Sequence, residues 1–179
     1  MKKTLIIHPK DSSTTFLREI YEDIPYKTVI SGGLTKLEIL AEIDKHDKIM
    51  MMGHGSPFGL FGVNFNADYA IDKLAAPLLK GKENYFIWCY ANEFVNRHEL
   101  NGFSTGMFIS EKEEATYCNV DASTQDVGYS NLVFSELMRK NILKEQTELF
   151  KNVTNAYDEF AKKTKNKVAE YNNKRLILV

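Results

Sequence analysis

The sequence predicts an α/β fold, a three-layer sandwich in which a mainly parallel sheet carries helices on both faces. Short apolar runs of strand character alternate along the chain with segments whose apolar residues recur at helical spacing. This order is typical of parallel sheets covered by helices. Two of the runs, 48–52 and 85–89, are almost wholly apolar, as expected of strands that are buried on both faces.

The first half of the chain gives strands and helices in strict alternation. Strands are predicted over 3–8 and 26–30, and helices are predicted after the capping side chains of Asp11 and Thr35. The stretch 56–63 is rich in glycine and aromatic residues and predicts a tight hairpin or an ordered loop. Apolar residues over 70–79 recur at helical spacing, which predicts a helix that is kinked or broken at its proline.

The second half is predicted to be mostly helical. We predict a short helix over 91–98, a strand over 115–120 and an amphipathic helix over 130–143. Beyond about Glu145 a narrow apolar stripe predicts one long helix, laid against the domain or against a protein partner, and 175–179 has strand character. The chain 1–179 is taken as a single domain, with a core of roughly 1–143 and a C-terminal helix and tail of roughly 145–179.

Composition narrows the class of protein. The 179 residues are 44% apolar, and the formal charge of −1 provides no basic surface for nucleic acid or for an anionic membrane. No window is long and apolar enough for a membrane span, and the N-terminus lacks a signal peptide, so we expect a cytoplasmic protein. The two cysteines are expected to be free thiols. No ligand spacing typical of a metal site is present, and neither a metal nor a cofactor is expected.

The two most apolar strands end in residues with catalytic chemistry. His54 follows the first of them, between Gly53 and Gly55, and Cys89 ends the second. Because catalytic groups collect beyond the carboxyl ends of parallel strands, this pattern places an imidazole and a thiol together. The two residues are 35 positions apart (89 − 54), with one predicted helix between them, a spacing natural for neighbouring parallel strands. The sequence predicts a His54–Cys89 dyad, with the N–H groups of Gly55 and Cys89 as an oxyanion hole.

An apolar block ending in His54-Gly55, followed on a strand–helix–strand scaffold by one ending in Cys89, resembles the caspase-like cysteine peptidases. That grouping includes caspases, metacaspases, clostripain, gingipain, legumain, separase and the CHAT domains. The resemblance covers roughly residues 3–120 as topology and two short motifs as sequence. It implies a caspase-like, flavodoxin-like sandwich that acts on a peptide or protein. It also implies that Cys89 is the nucleophile, His54 the general base or acid, and Gly55 a donor to the oxyanion.

Charged residues near the same sheet edge are candidates for a substrate pocket. In caspase-like enzymes the loop after the first strand often supplies part of the pocket for the residue before the cut, which here means His8, Lys10 and Asp11. The opposite charges of Lys10 and Asp11 leave the charge of the substrate open. Four acidic residues could instead select a basic side chain: Glu93, Glu111, Asp121 and Asp126.

Two other classes of function stay open. The hydroxyl-rich loop 11–15 precedes a predicted helix and could hold a phosphate or nucleotide, as flavodoxin-like proteins hold FMN. Alternatively the chain is a non-catalytic interaction module that binds a protein partner through its C-terminal helix. The bulky Trp88 beside Cys89 favours this last hypothesis.

Overall fold

Nine strands and eight helices make up the part of the chain that the computed structural model describes, residues 3–179. The strands are β1 (Thr4–Ile7), β2 (Lys27–Ile30), β3 (Lys48–Met52), β4 (Gly55–Ser56), β5 (Gly59–Phe61), β6 (Tyr69–Ile71), β7 (Glu83–Ile87), β8 (Phe103–Thr105) and β9 (Leu176–Leu178). The helices are α1 (Arg18–Tyr21, preceded by a 3-10 turn over Thr15–Leu17), α2 (Lys36–Asp44), α3 (Ala76–Leu79), α4 (Ala91–Arg97), α5 (Lys112–Tyr117), α6 (Thr124–Asn141), α7 (Gln146–Thr164) and α8 (Lys167–Asn173).

Six strands form the central sheet in the order β2-β1-β3-β7-β8-β9. Every neighbouring pair is parallel except β8 with β9, which is antiparallel. The predicted α/β class with a mainly parallel sheet is confirmed. A second, three-stranded sheet, β4-β5-β6, is the hairpin predicted over 56–63 together with one further strand.

Both faces of the central sheet are buried, because successive strand side chains point to opposite sides. Leu5 and Ile7 of β1 pack in one apolar cluster with α2, α3 and α4, whereas Ile6 packs in the other with α1, α6 and α7. Helix α7 presents Leu149, Val153 and Tyr157 to this second cluster, where all three are fully buried. The predicted apolar stripe therefore packs against the chain's own domain.

Three predicted elements are wrong in detail. Residues 70–71 belong to β6, where Ile71 pairs with Leu60, and Pro77 lies in the first turn of the short α3, where a missing N–H costs no hydrogen bond. The strand predicted over 115–120 is instead the end of α5 and the turn after it. The long C-terminal helix is two helices, because Lys165 adopts a left-handed backbone (φ 56°) and the Asn166 side chain caps α8.

Among residues 3–179 no helix combines the length and apolar character that crossing a membrane requires. The two predicted free thiols, Cys89 and Cys118, are both unpaired and only partly buried.

Candidate active site

His54 and Cys89 both lie at the carboxyl edge of the sheet, beyond the ends of the neighbouring strands β3 and β7. Strands β3 and β7 are in register up to the pair Met52 and Ile87, and each candidate residue lies two positions beyond its member of that pair. The Gly53 amide donates to the Ile87 carbonyl at 3.0 Å, an ordinary hydrogen-bond length, so the pairing continues to the base of the site. Strand register alone therefore brings the imidazole and the thiol to one place.

Both residues line one small cavity of about 20 Å³. That volume holds about one water molecule. The other lining residues come from the loop after β1, the ends of β3, β7 and β8, and the segment before α5: Thr14, Phe16, Leu17, Gly53, Ile87, Trp88, Thr105, Phe108 and Ser110. Within the described chain no hydrogen bond joins the Cys89 sulfur to the His54 ring. The cavity is therefore too small for a peptide residue, which could bind there only if lining side chains move.

Cys89 lies on a sharp strand-to-helix turn. The next residue, Tyr90, has a left-handed backbone (φ 65°) and starts α4. For a residue other than glycine this conformation costs about 1–2 kcal/mol, and strain of this kind concentrates at functional sites. Strand β8 holds the turn in place, since the Thr105 hydroxyl donates to the Trp88 carbonyl at 2.7 Å and the Tyr90 amide donates to the Gly106 carbonyl at 3.1 Å.

The Cys89 thiol is held in its protonated form. Its sulfur donates to the Phe108 carbonyl at 3.4 Å and lies 3.8 Å from Glu114 Oε1. Burial, and after it the negative charge of Glu114, raises the pKa of the Cys89 thiol to about 12. Both causes disfavour the thiolate. In this structure the thiol is therefore a weak nucleophile.

Glu114 is a site residue that the sequence analysis missed. Its Oε2 accepts hydrogen bonds from the Ser110 amide (2.7 Å), the Ser110 hydroxyl (3.0 Å) and the Glu111 amide (3.1 Å). These bonds form half of a capping box at the start of α5, in which the Glu111 side chain accepts from the backbone of Glu114. The spacing of Glu111 and Glu114 is the signal that could have revealed this helix start.

The His54 ring is anchored on the loop after β1. Its Nε2 lies 2.6 Å from Ser13 Oγ, and the Ser13 hydroxyl donates to Asp11 Oδ1 at 2.7 Å. These bonds engage Asp11, predicted as a pocket residue, with Ser13. Two hydroxyls of the candidate phosphate loop 11–15 are likewise directed inward, since Thr14 bonds to His8 and Ser13 to His54.

Gly55 is required by its neighbours. A Cβ atom at this position would lie 2.3 Å from Trp88 Cδ1 and 2.6 Å from the Gly59 carbonyl oxygen. The Trp88 indole packs with Phe86 and Phe94 and donates to the Ser56 carbonyl at 3.0 Å. Trp88 thus supports the segment that carries His54. Because the Phe61 amide donates to the His54 carbonyl, Gly55 and Leu60 form a non-hydrogen-bonded pair, which directs the Gly55 N–H away from β5.

One group of side chains could hold a cation. One ligand atom each from His54, Glu111 and Glu114 lies within 4.8 Å of the others, and all three residues are half-buried. Imidazole and carboxylate are ligands of divalent transition metals. In the described structure the two carboxylates already serve the capping box of α5, which accounts for their proximity without an ion.

The other predicted pocket residues lie at varying distances from the dyad. The His8 ring is buried, with Nδ1 bonded to the Tyr21 hydroxyl (3.0 Å) and Nε2 to the Thr14 hydroxyl (3.1 Å). Lys10 is exposed and lines a separate outer cavity of about 230 Å³, together with His8, Asp11 and Arg18. None of the four acidic candidates lines the dyad cavity. Glu93 is exposed on α4, Asp121 is exposed 3.9 Å from Lys167, and Asp126 caps α6. Of the four, only Glu111 is close to His54.

A search with models of known protein families finds none that matches this chain, and a search of curated proteins finds no significant match.

Proposed function

We propose that the chain is a cysteine peptidase of the caspase-like kind, with Cys89 as nucleophile and His54 as general acid and base. The observation that carries this proposal is that both residues lie two positions beyond a registered strand pair and line the same cavity. The strained turn at Tyr90, which presents Cys89, supports the same assignment.

The reaction follows the usual chemistry of a thiol nucleophile. The Cys89 sulfur attacks the carbonyl carbon of a peptide bond as its proton passes to His54. The imidazolium then protonates the leaving amine, and water hydrolyses the thioester. The developing oxyanion is held by the amides of Cys89 and Gly55. In residues 3–179 the Cys89 amide donates to no protein acceptor, which keeps it available for this role.

The substrate is a peptide or a protein segment, and we place the protein in the cytoplasm. Two free thiols, one of them in the proposed site, suit a reducing compartment. Because the cavity is too small for a peptide residue, substrate binding must displace at least one lining side chain, and Phe16 and Phe108 are large apolar side chains among them.

An unbiased peptide digest tests the proposal. The full chain and the variants Cys89→Ala, His54→Ala and Cys118→Ala are incubated with a proteome-derived peptide mixture, and new termini are identified by mass spectrometry. We expect cleavage by the wild type and by Cys118→Ala, and its loss in Cys89→Ala and His54→Ala. Cleavage that survives Cys89→Ala would overturn the proposal. So would a wild type that neither cleaves nor is labelled at Cys89 by peptidyl acyloxymethyl ketones covering all classes of side chain before the cut.

A further inference from the structure

A chain of two hydrogen bonds ties one nitrogen of His54 to a carboxylate. His54 Nε2 lies 2.6 Å from Ser13 Oγ, which lies 2.7 Å from Asp11 Oδ1. The same Oδ1 accepts the Ser13 amide at 2.9 Å, so Ser13 is fixed relative to Asp11 from both its backbone and its side chain. The hydroxyls of Thr14 and Thr15 lie 3.4 Å and 3.3 Å from the Asp11 carbonyl and close the same turn.

The number of hydrogens available to these hydrogen bonds determines which nitrogen of the His54 ring carries a proton. The hydroxyl and then the amide of Ser13 lower the pKa of the Asp11 carboxyl below its ordinary value, so Asp11 is ionised and only accepts hydrogen bonds. The single hydrogen of the Ser13 hydroxyl is therefore used toward Asp11. The hydrogen between Ser13 and His54 must then come from the ring, which places it on Nε2 and leaves the lone pair on Nδ1.

We infer that Ser13 and Asp11 are positioning residues that hold neutral His54 as its Nε2–H tautomer, so that Nδ1 carries the proton between Cys89 and the leaving amine. The catalytic half of this inference rests on the proposed peptidase function, whereas the tautomer is a property of the resting chain. In the first step the S–H bond breaks, an N–H bond forms at Nδ1, the sulfur electron pair forms the C–S bond, and the π pair of the carbonyl moves to its oxygen. In the second step that pair re-forms the C=O bond, the peptide C–N bond breaks with its electron pair going to nitrogen, and the Nδ1 proton goes to that nitrogen.

The two hydrogen bonds from His54 through Ser13 to Asp11 are also compatible with the charged form of the His54 ring. When Nδ1 takes a proton, Nε2–H still donates to Ser13, and no hydrogen bond in the chain has to reverse. The Asp11 carboxylate interacts favourably with a charge on His54. Held from Nε2, the ring stays in one orientation as its charge changes, which removes a reorganisation step from the reaction.

The tautomer is measured directly by 15N NMR of the full-length chain without substrate. We expect one His54 signal pair with the hydrogen on Nε2, and a slowly exchanging Nε2–H. Ser13→Ala should produce a mixture of tautomers and fast exchange, whereas Ser13→Thr, which keeps the hydroxyl, should restore the wild-type signals. Ser12→Ala is the matched control, since Ser12 is the exposed neighbour on the same loop. A wild-type ring with its hydrogen on Nδ1, or a Ser13→Ala spectrum identical to wild type, would overturn the inference.

Enzyme kinetics test the inferred role of His54 Nδ1 in proton transfer. With a peptide substrate, Ser13→Ala should lower kcat by roughly 10- to 100-fold at nearly constant KM, which is less than the 10²–10⁴ that general acid–base catalysis contributes as a whole. Ser13→Thr should recover most of the loss, and Ser12→Ala should show none. An unchanged kcat in Ser13→Ala would overturn the assignment of Nδ1. If the wild type has no peptidase activity while Nε2–H is observed, the proposed function fails together with the role of Nδ1, but the positioning of the ring stands.

Discussion

Replacing Glu114 by glutamine should make Cys89 a faster nucleophile. Glu114 Oε1 lies 3.8 Å from the Cys89 sulfur, and its charge, after burial, is the next largest cause of the raised thiol pKa. Two unit charges at this separation repel by about 1 kcal/mol in water and by roughly 4 kcal/mol at an effective dielectric constant near 20. Removing the carboxylate charge should thus lower the thiol pKa by about 1–3. Glutamine retains an oxygen that can accept from Ser110 and Glu111.

The expected increase in the alkylation rate of Cys89 is smaller than the increase in the fraction of Cys89 that is thiolate. Intrinsic nucleophilicity falls with thiol pKa, with a Brønsted coefficient of about 0.4–0.5, so the net acceleration is roughly 3- to 60-fold. The assay is the rate of iodoacetamide alkylation of Cys89 at fixed pH, followed by intact mass. Glu113→Gln removes the same charge from the exposed neighbour on α5 and should change the rate little. If Glu114→Gln alkylates no faster than Glu113→Gln, the carboxylate does not control the thiol and the reasoning is refuted.

Three further predictions concern stability. Burial, and after it the charge of Arg18, lowers the pKa of His8 from 6.5 to about 4, so as the pH falls from 6.5 to 4 only the unfolded chain gains a proton at this residue. The free energy of unfolding should therefore fall by about 3 kcal/mol over this pH range, and urea titrations should find this decrease largely absent in His8→Gln. Gly55→Ala should lower the free energy of unfolding by about 1–3 kcal/mol because the added Cβ meets Trp88, whereas Gly128→Ala in α6 should raise it because the added Cβ meets no other atom. If urea unfolding shows the same change in both variants, the packing argument is contradicted. Lys165→Gly should raise the free energy of unfolding by about 0.5–1 kcal/mol, because glycine adopts the left-handed backbone of this position without steric strain. A lower melting temperature in this variant would count against the prediction.

The sequence predicted the sheet and the two strand-end residues because both depend on local pattern. Strands buried on two faces are mostly apolar, as β3 is after Lys48 and β7 is from Tyr85 onward. Once they are neighbours in register, His54 and Cys89 lie together whatever the rest of the chain does. By contrast, the residues 115–118 carry few helical cues of their own. Their helix is fixed by the capping box of Glu111 and Glu114, which the strand prediction overlooked.

The partners of the dyad were missed for a different reason. Glu114 reaches Cys89 from 25 positions away in sequence, and Ser13 reaches His54 from 41. Such contacts depend on how the loops after β1 and β8 fold over the sheet edge, and no spacing in the sequence encodes them. The hydroxyls of loop 11–15 were recognised as chemically active, but as caps or phosphate ligands. Only the three-dimensional structure shows that one of them faces the imidazole.

The thiol and the imidazole constrain each other's chemistry. To ionise a thiol of pKa about 12 at pH 7 costs roughly 7 kcal/mol, an amount comparable with the smaller rate enhancements of enzymes. Formation of the thiolate before the substrate arrives is therefore disfavoured in this structure. In the proposed reaction the proton leaves sulfur as the C–S bond forms, which favours a base whose accepting nitrogen is already oriented. Fixing that nitrogen is what Ser13 and Asp11 do through Nε2. Glu114→Gln and Ser13→Ala should for this reason act in opposite directions, the first raising alkylation of Cys89 and the second lowering kcat.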